Sequence, residues 1–221
     1  MSKGFLAIIA VVIIAFAGFF ILNGHKSGSG NSGSSSSAKA TNHVEGQGKS
    51  GVKLIEYGDY QCPYCEEAYP VVKQAESQFA DQIYFQFRNF PLINVHQNAF
   101  AGARAAEAAA LQNKFWQMHD LLYENQNQWS TASNPSTYFN QYAKQLGLNV
   151  AQFQKDYASS KVNDTINADI AAGNALKVDA TPTFFLDGKQ IELTPTDPSS
   201  VNAFKQQIQD AINQKSSQTK Q

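Results

Sequence analysis

Residues 4–22 read GFLAIIAVVIIAFAGFFIL, nineteen consecutive positions without a charge. At about 1.5 Å rise per helical residue, such a run covers roughly the 30 Å hydrocarbon core of a bilayer. The pattern predicts a transmembrane helix over 4–22, preceded by a short N-terminal stretch, 1–3. The AFA triplet at 15–17 imitates a signal-peptide cleavage site. Because the apolar GFFIL follows it and no lipobox cysteine is present, an uncleaved signal anchor is the expectation. The flanking charges, Lys3 before and His25 and Lys26 after, barely bias its orientation. Residues 23–50 then carry SGSGNSGSSSS and few large apolar side chains. Such a segment buries too little surface to offset its ordering entropy, so a flexible tether with a reach on the order of 30 Å is predicted. His25 and His43 fall within it as solvated side chains.

A different pattern begins at Gly51. VKLIEY, residues 52–57, is apolar and β-branched enough for a buried strand, and Gly58-Asp59 ends it. Cys65, Ala68, Val72, Ala75 and Phe79 recur at helical spacing, predicting a helix that buries this stripe. Cys62 stands at its first turn and Pro63 follows, where a missing amide hydrogen loses no helical partner. IYFQFRNF, residues 83–90, is an aromatic-rich strand. A long, largely helical stretch follows, with an Asn134-Pro135 start, a stop at Gly147, an Asn149/Gln152 capping pair and a bend placed at Gly173. TFFL, an Asp187-Gly188 turn and KQIEL read as a hairpin. A last helix, capped by Asp197-Pro198, packs through Val201, Phe204, Ile208 and Ile212. The order β-α-β, helices, β-β-α predicts a thioredoxin-like α/β fold over 51–215, with a helical insertion at about 96–177 and a disordered tail at 216–221.

Charge removes one class of function. From residue 51 onward the chain has 13 Lys and Arg against 17 Asp and Glu, a net near −4 with no basic stripe, which disfavours nucleic-acid binding. A monomer is the default expectation.

The chain holds two cysteines, Cys62 and Cys65, in the stretch GDYQCPYCEEAYPVV. A zinc site needs two further ligands, and only His96 and His119, 23 residues apart, could supply them. A structural disulfide would close a tiny loop and contribute little chain-entropy stabilisation. A redox pair uses every feature in view: the helix N-terminus favours a thiolate on Cys62, read as the exposed nucleophile, and Cys65 on the buried face is the resolving thiol. No cofactor or metal is expected. His119 and Phe115, with Trp116, read as core, and His96 as a residue at a helix start.

The segments LIEYGDYQCPYC, FRNFPL, HQNAFAGARAAEAA, KFWQMHDLLYENQ and ATPTFFLDG resemble, in that order, the DsbA-type thiol–disulfide oxidoreductases. The similarity is greatest to the membrane-tethered forms of monoderm bacteria and runs from about Val52 to Asn213. The resemblance implies an enzyme with Cys62 as nucleophile, Cys65 as its partner, and Pro63 and Tyr64 as the dipeptide that tunes the thiolate. It implies a cis-Pro182 facing the disulfide, with Thr181 before it offering backbone hydrogen bonds to substrate. Glu56, six residues before Cys62, takes the position of a buried acid near Cys65. Read from the strand alone, it is equally a glutamate turned to solvent. The implied function is to introduce disulfides into unfolded exported proteins with reduced cysteines, from the extracytoplasmic side of the cytoplasmic membrane. A quinone-linked membrane partner of the DsbB or VKOR type would reoxidise the pair. The alternatives are a disulfide reductase or isomerase, or a peptide-binding module with a structural CxxC.

Overall fold

In the computed structural model, which describes residues 39–218, VKLIEY becomes the central strand of a mixed five-stranded sheet. The strands are β1 (His43–Glu45), β2 (Val52–Gly58), β3 (Ile83–Asn89), β4 (Thr183–Leu186) and β5 (Lys189–Ile191), in the order β1-β3-β2-β4-β5. Strand β3 runs parallel to β2, while β4 pairs antiparallel on its other side, Tyr57 opposite Thr183. Helix α1 (Pro63–Phe79) connects β2 to β3 and buries the predicted stripe, with Glu76 added to it. The β4–β5 turn uses Asp187 and Gly188, both at positive φ, the backbone that Asp-Gly accepts in a two-residue hairpin.

Between β3 and β4 lies the helical insertion: α2 (Ala99–Ala110), α3 (Phe115–Glu124), α4 (Gln126–Trp129), α5 (Ser136–Gln145), α6 (Val150–Tyr157) and α7 (Ser160–Ala175). Alanines on α2 let neighbours approach closely. A Cβ on Gly102 would stand 3.0 Å from the Trp129 ring and 3.1 Å from Tyr60 Cβ. The capping pair at α6 forms by half, since Asn149 Oδ1 accepts from the Gln152 amide at 3.0 Å while the Gln152 side chain turns to Asp156. Asp197 caps α8 (Pro198–Gln218) by accepting from the Ser199 amide at 2.9 Å.

Some expectations are corrected. The segment read as one long helical stretch breaks after α2, where Asn113 takes φ 59°, and again at Asn125. Helix α7 runs unbroken through Gly173 to Ala175, and Gly173 makes room for Phe90, whose ring a Cβ would meet at 2.7 Å. The last helix continues to Gln218, into the predicted tail. The predicted tether ends before Ser50, because Thr41 is buried and residues 43–45 pair with β3. Sequence periodicity missed this edge strand because polar contacts, rather than apolar ones, hold it. Nor is His43 solvated, since its ring stacks on Phe115 at 3.5 Å and its Nε2 lies 2.9 Å from Glu107 Oε1. The predicted anchor at 4–22, with His25, lies outside the described residues. Among the described residues no helix is long and apolar enough to cross a membrane.

Beside His43, Asp169 of α7 accepts from the Thr41 hydroxyl at 2.8 Å and from the Asn89 amide at 3.0 Å, and Asn89 Nδ2 donates to Glu107 at 2.7 Å. These buried groups fasten the entering chain, the end of β3 and the insertion to one another. Leaving a buried donor unpaired costs about 1–3 kcal/mol. Asp169→Ala should therefore lower the stability of the domain by roughly 3 kcal/mol in urea unfolding, and a loss within error of zero would show that this network does not join the segments.

Candidate active site

Strand β2 delivers the chain into a loop that its own carboxylate shapes. Asp59, buried, accepts from the Gln61 amide at 2.8 Å and the Leu92 amide at 2.9 Å, and its Oδ2 lies 2.7 Å from His96 Nδ1. The Asp59 carbonyl also accepts from the Cys62 amide at 3.0 Å. The turn thus ends with Cys62 as the N-cap of α1 and Pro63 at its first position, as a helix start requires.

Both cysteines are free thiols in this structure. Cys65 is fully buried, and Cys62, expected to be exposed, retains only 3% of its surface. The reason is the loop before β4. The Cys62 thiol donates to the Thr181 carbonyl at 3.3 Å, across 119 residues of sequence, and the Thr181-Pro182 peptide bond is cis. Tyr64, two residues on, is 65% exposed.

The two thiols are held with unequal acidities. Cys62 is lowered from 9.0 to about 6, chiefly by a hydrogen bond from the Cys65 thiol. Burial opposes this; the Thr181 side chain and the first-turn amides of Tyr64 and Cys65 assist it. Thr181 Oγ1 has no other hydrogen-bond partner, so its hydroxyl is available to the thiolate. Cys65 is pushed well above the ordinary thiol range, first by burial, then by its donation to Cys62 and by the charges of Cys62 and Glu56. Glu56 is buried rather than turned to solvent, and its pKa is raised from 4.5 to about 8. Burial is the main cause, followed by the charges of Glu76 and Cys62. Glu56 therefore holds its proton at neutral pH, yet is a stronger acid than Cys65.

Glu76 lines a cleft of about 300 Å³ with Glu45, Lys73 and Ser77, and its Oε2 stands 3.0 Å from Lys73 Nζ. Of the histidines, His119 is buried among Tyr60, Phe87 and Tyr123, with its Nδ1 3.2 Å from Asp120 Oδ1. The sequence does not mark Asp59, Gln61 or Gln126 as residues that fix the turn at Cys62, and His96, read as a residue at a helix start, joins them through Asp59. Asp59 was spent on ending a strand, and nothing in a polar run such as ENQNQ marks which amide turns inward. Among the described residues no group of three or more His, Cys, Asp or Glu side chains is placed to hold a metal ion.

A family model described as thioredoxin matches residues 38–210. The chain belongs to that family. Its fold is that of the DsbA-like members: BdbD from Bacillus subtilis, in its oxidised form, superposes with TM-score 0.67 at 19% identity, over 80% of this chain and 97% of that one. Alpha-DsbA1 from Wolbachia pipientis does so with TM-score 0.68 at 18% identity, over 81% and 94% of the two chains. A thioredoxin-like oxidoreductase from Silicibacter pomeroyi, 24% identical, covers 78% of this chain and 91% of its own with TM-score 0.60. Among curated relatives, the Na(+)/H(+) antiporter NhaA 1 of Mycolicibacterium vanbaalenii is 37% identical over 150 residues, which is 66% of this chain and 23% of the relative. That of Mycolicibacterium gilvum is 36% identical over 152 residues, 67% and 24% of the two chains. The family member described here thus spans about a quarter of the length of those relatives.

Two measurements test this electrostatic arrangement. The thiolate absorbance of the reduced protein should titrate with a midpoint near 6 that disappears in Cys62→Ser; a midpoint near that of an ordinary thiol contradicts the arrangement. For Glu56 the sign is opposite to that of a salt-bridged acid. With its folded pKa raised from 4.5 to about 8, the stability tied to its proton is present below 4.5 and lost as pH rises through 8. Glu56→Gln should match the parent at the acid end and exceed it by a few kcal/mol above that window, as read by urea unfolding across pH.

Proposed function

We propose that this chain is an extracytoplasmic thiol–disulfide oxidoreductase that introduces disulfides into exported proteins through Cys62-Pro63-Tyr64-Cys65. The observation that carries the reading is the inequality of the two sulfurs, an acidic thiol at a helix start opposite Thr181-Pro182 and a buried, weakly acidic one behind it. A substrate thiolate attacks Cys62 Sγ of the oxidised pair; the Cys62–Cys65 bond breaks as the mixed disulfide forms. Cys65 leaves with the electron pair, and Glu56, protonated at neutral pH and the stronger acid, supplies its proton. A second substrate thiolate then attacks the substrate sulfur of the mixed disulfide, expelling Cys62 as a stabilised thiolate. Two electrons have passed from substrate to enzyme, and the substrate holds a new disulfide. Thr181, next to the sulfur, presents backbone groups along which an extended substrate can lie.

In this reading the chain is held by the anchor at 4–22 at the outer face of the cytoplasmic membrane, and a quinone-linked partner of the DsbB or VKOR type returns the pair to the disulfide. Curated relatives named as Na(+)/H(+) antiporters carry a similar domain, which supports work close to a membrane. The oxidising direction rests on the thiolate. A Cys62 pKa of about 6 lies between the ≈ 3.5 of a strong disulfide donor and the ≈ 7 of thioredoxin. A reduction potential between roughly −230 and −120 mV is expected.

Equilibration with glutathione measures that potential, and a value near the −270 mV of thioredoxin overturns the oxidase in favour of a reductase. In the cell, Cys65→Ser should accumulate mixed disulfides with exported proteins and Cys62→Ser should abolish function. Retained function in Cys62→Ser would point instead to a peptide-binding module.

A further inference from the structure

The helical insertion touches the loop that carries Cys62 through two glutamines, and neither takes part in the exchange chemistry. Gln126, at the start of α4, is buried, and its Nε2 donates to the Tyr60 carbonyl at 2.9 Å and to the Cys62 carbonyl at 2.9 Å. One carboxamide nitrogen therefore bridges the carbonyls on either side of Gln61. The Cys62 carbonyl is also the first acceptor of α1, taking the Glu66 amide at 3.1 Å. Gln61, between them, reaches the other way. Its Nε2 donates to the Ser130 carbonyl at 2.7 Å, and its Oε1 accepts from the Asn98 amide at 2.6 Å. The insertion's end of this contact is itself braced, because Asn98 Nδ2 donates to the carbonyls of Ser130 and Ala132, each at 2.9 Å.

We propose that Gln126 and Gln61 form a clamp through which the helical insertion positions the Cys62 sulfur against Thr181 and the first amides of α1. Residues 60–62 have no regular secondary structure to fix their rotation. Without the clamp the Tyr60 carbonyl would be short of a donor in a buried place, the Cys62 carbonyl would keep only the Glu66 amide, and the loop would turn to recover the lost bond. Any such turn moves Cys62 Sγ away from a partner now 3.3 Å distant. The nitrogen that Gln126 contributes is also a donor, so its dipole favours negative charge on the adjoining residue. These are positioning residues, acting through the loop rather than on substrate, and they make the seating of the insertion part of the chemistry of the pair. A partner that grips the insertion would thereby alter the reactivity of Cys62 without touching it.

The inference rests on Cys62 being the attacking sulfur, and the test separates the two. In full-length protein, thiolate titration and urea stability are measured for Gln126→Leu, Gln61→Ala and Trp129→Phe. Trp129 Nε1 donates to the Leu122 carbonyl at 2.9 Å, so the last variant removes a buried hydrogen bond at the end of α4 that is made within the insertion and not to the loop. Both glutamine variants should hold roughly threefold to tenfold less thiolate at a fixed pH below the midpoint, the equivalent of one ordinary hydrogen bond. Trp129→Phe should lose stability and keep the parent midpoint. An unchanged midpoint in folded Gln126→Leu overturns the clamp, as does an equal shift in Trp129→Phe. If Gln126→Leu does not fold, Gln61→Ala decides by the same criterion, because its half-buried side chain is not part of the core. A parent protein whose own midpoint is that of an ordinary thiol would instead sink the redox reading.

Discussion

The contact between the Cys62 thiol and the Thr181 carbonyl is the constraint around which the molecule is organised. It joins segments 119 residues apart, and the sheet makes it possible. Because β2 and β4 are antiparallel neighbours, with Tyr57 opposite Thr183, the loop leaving β2 and the loop entering β4 emerge at the same edge. The chain between them is free to be long, provided it returns to the β4 position. That freedom explains how six helices can be inserted there without disturbing the pair they surround.

Holding a thiolate at that edge has a cost inside the domain. Glu56 and Glu76 share the interior with Cys65, and burial raises the pKa of each of these groups, making it a weaker acid. The core tolerates them because they titrate instead of remaining ionised, which is the cheaper response to a low dielectric. Around Asp169 and Glu107 both carboxylates accept hydrogen bonds from Thr41, Asn89 or His43, and the cluster serves as a fastening.

How much of this was legible depended on whether a feature repeats. The stripe from Cys65 to Phe79 recurs at helical spacing and gave α1 correctly, including which cysteine is fully buried. The Asp187-Gly188 turn was readable because few residue pairs accept its backbone. Strand β1 was not, since three residues held by pairing and by polar side chains show no period. The same limit applies at the site. The CxxC announces itself, but the cover over Cys62 comes from a loop remote in sequence, so exposure was misjudged. The amides of Gln126 and Gln61 look like any others in a polar stretch. Side chains whose role is to hold a carbonyl carry no signature, because the group they recognise is present at every residue.

That point alters how the direction of electron flow should be argued. From sequence alone the weight falls on Pro63 and Tyr64, the dipeptide that the family resemblance makes responsible for tuning the thiolate. In the folded chain the Tyr64 ring stands in solvent, and it is the backbone amide of Tyr64 that helps the sulfur. The larger stabilisation of the thiolate comes from Cys65, with Thr181 assisting. The backbone amide of position 64 is present whatever side chain that residue carries. The poise of the proposed oxidase is then set by how firmly residues 60–62 are held against β4 and the insertion.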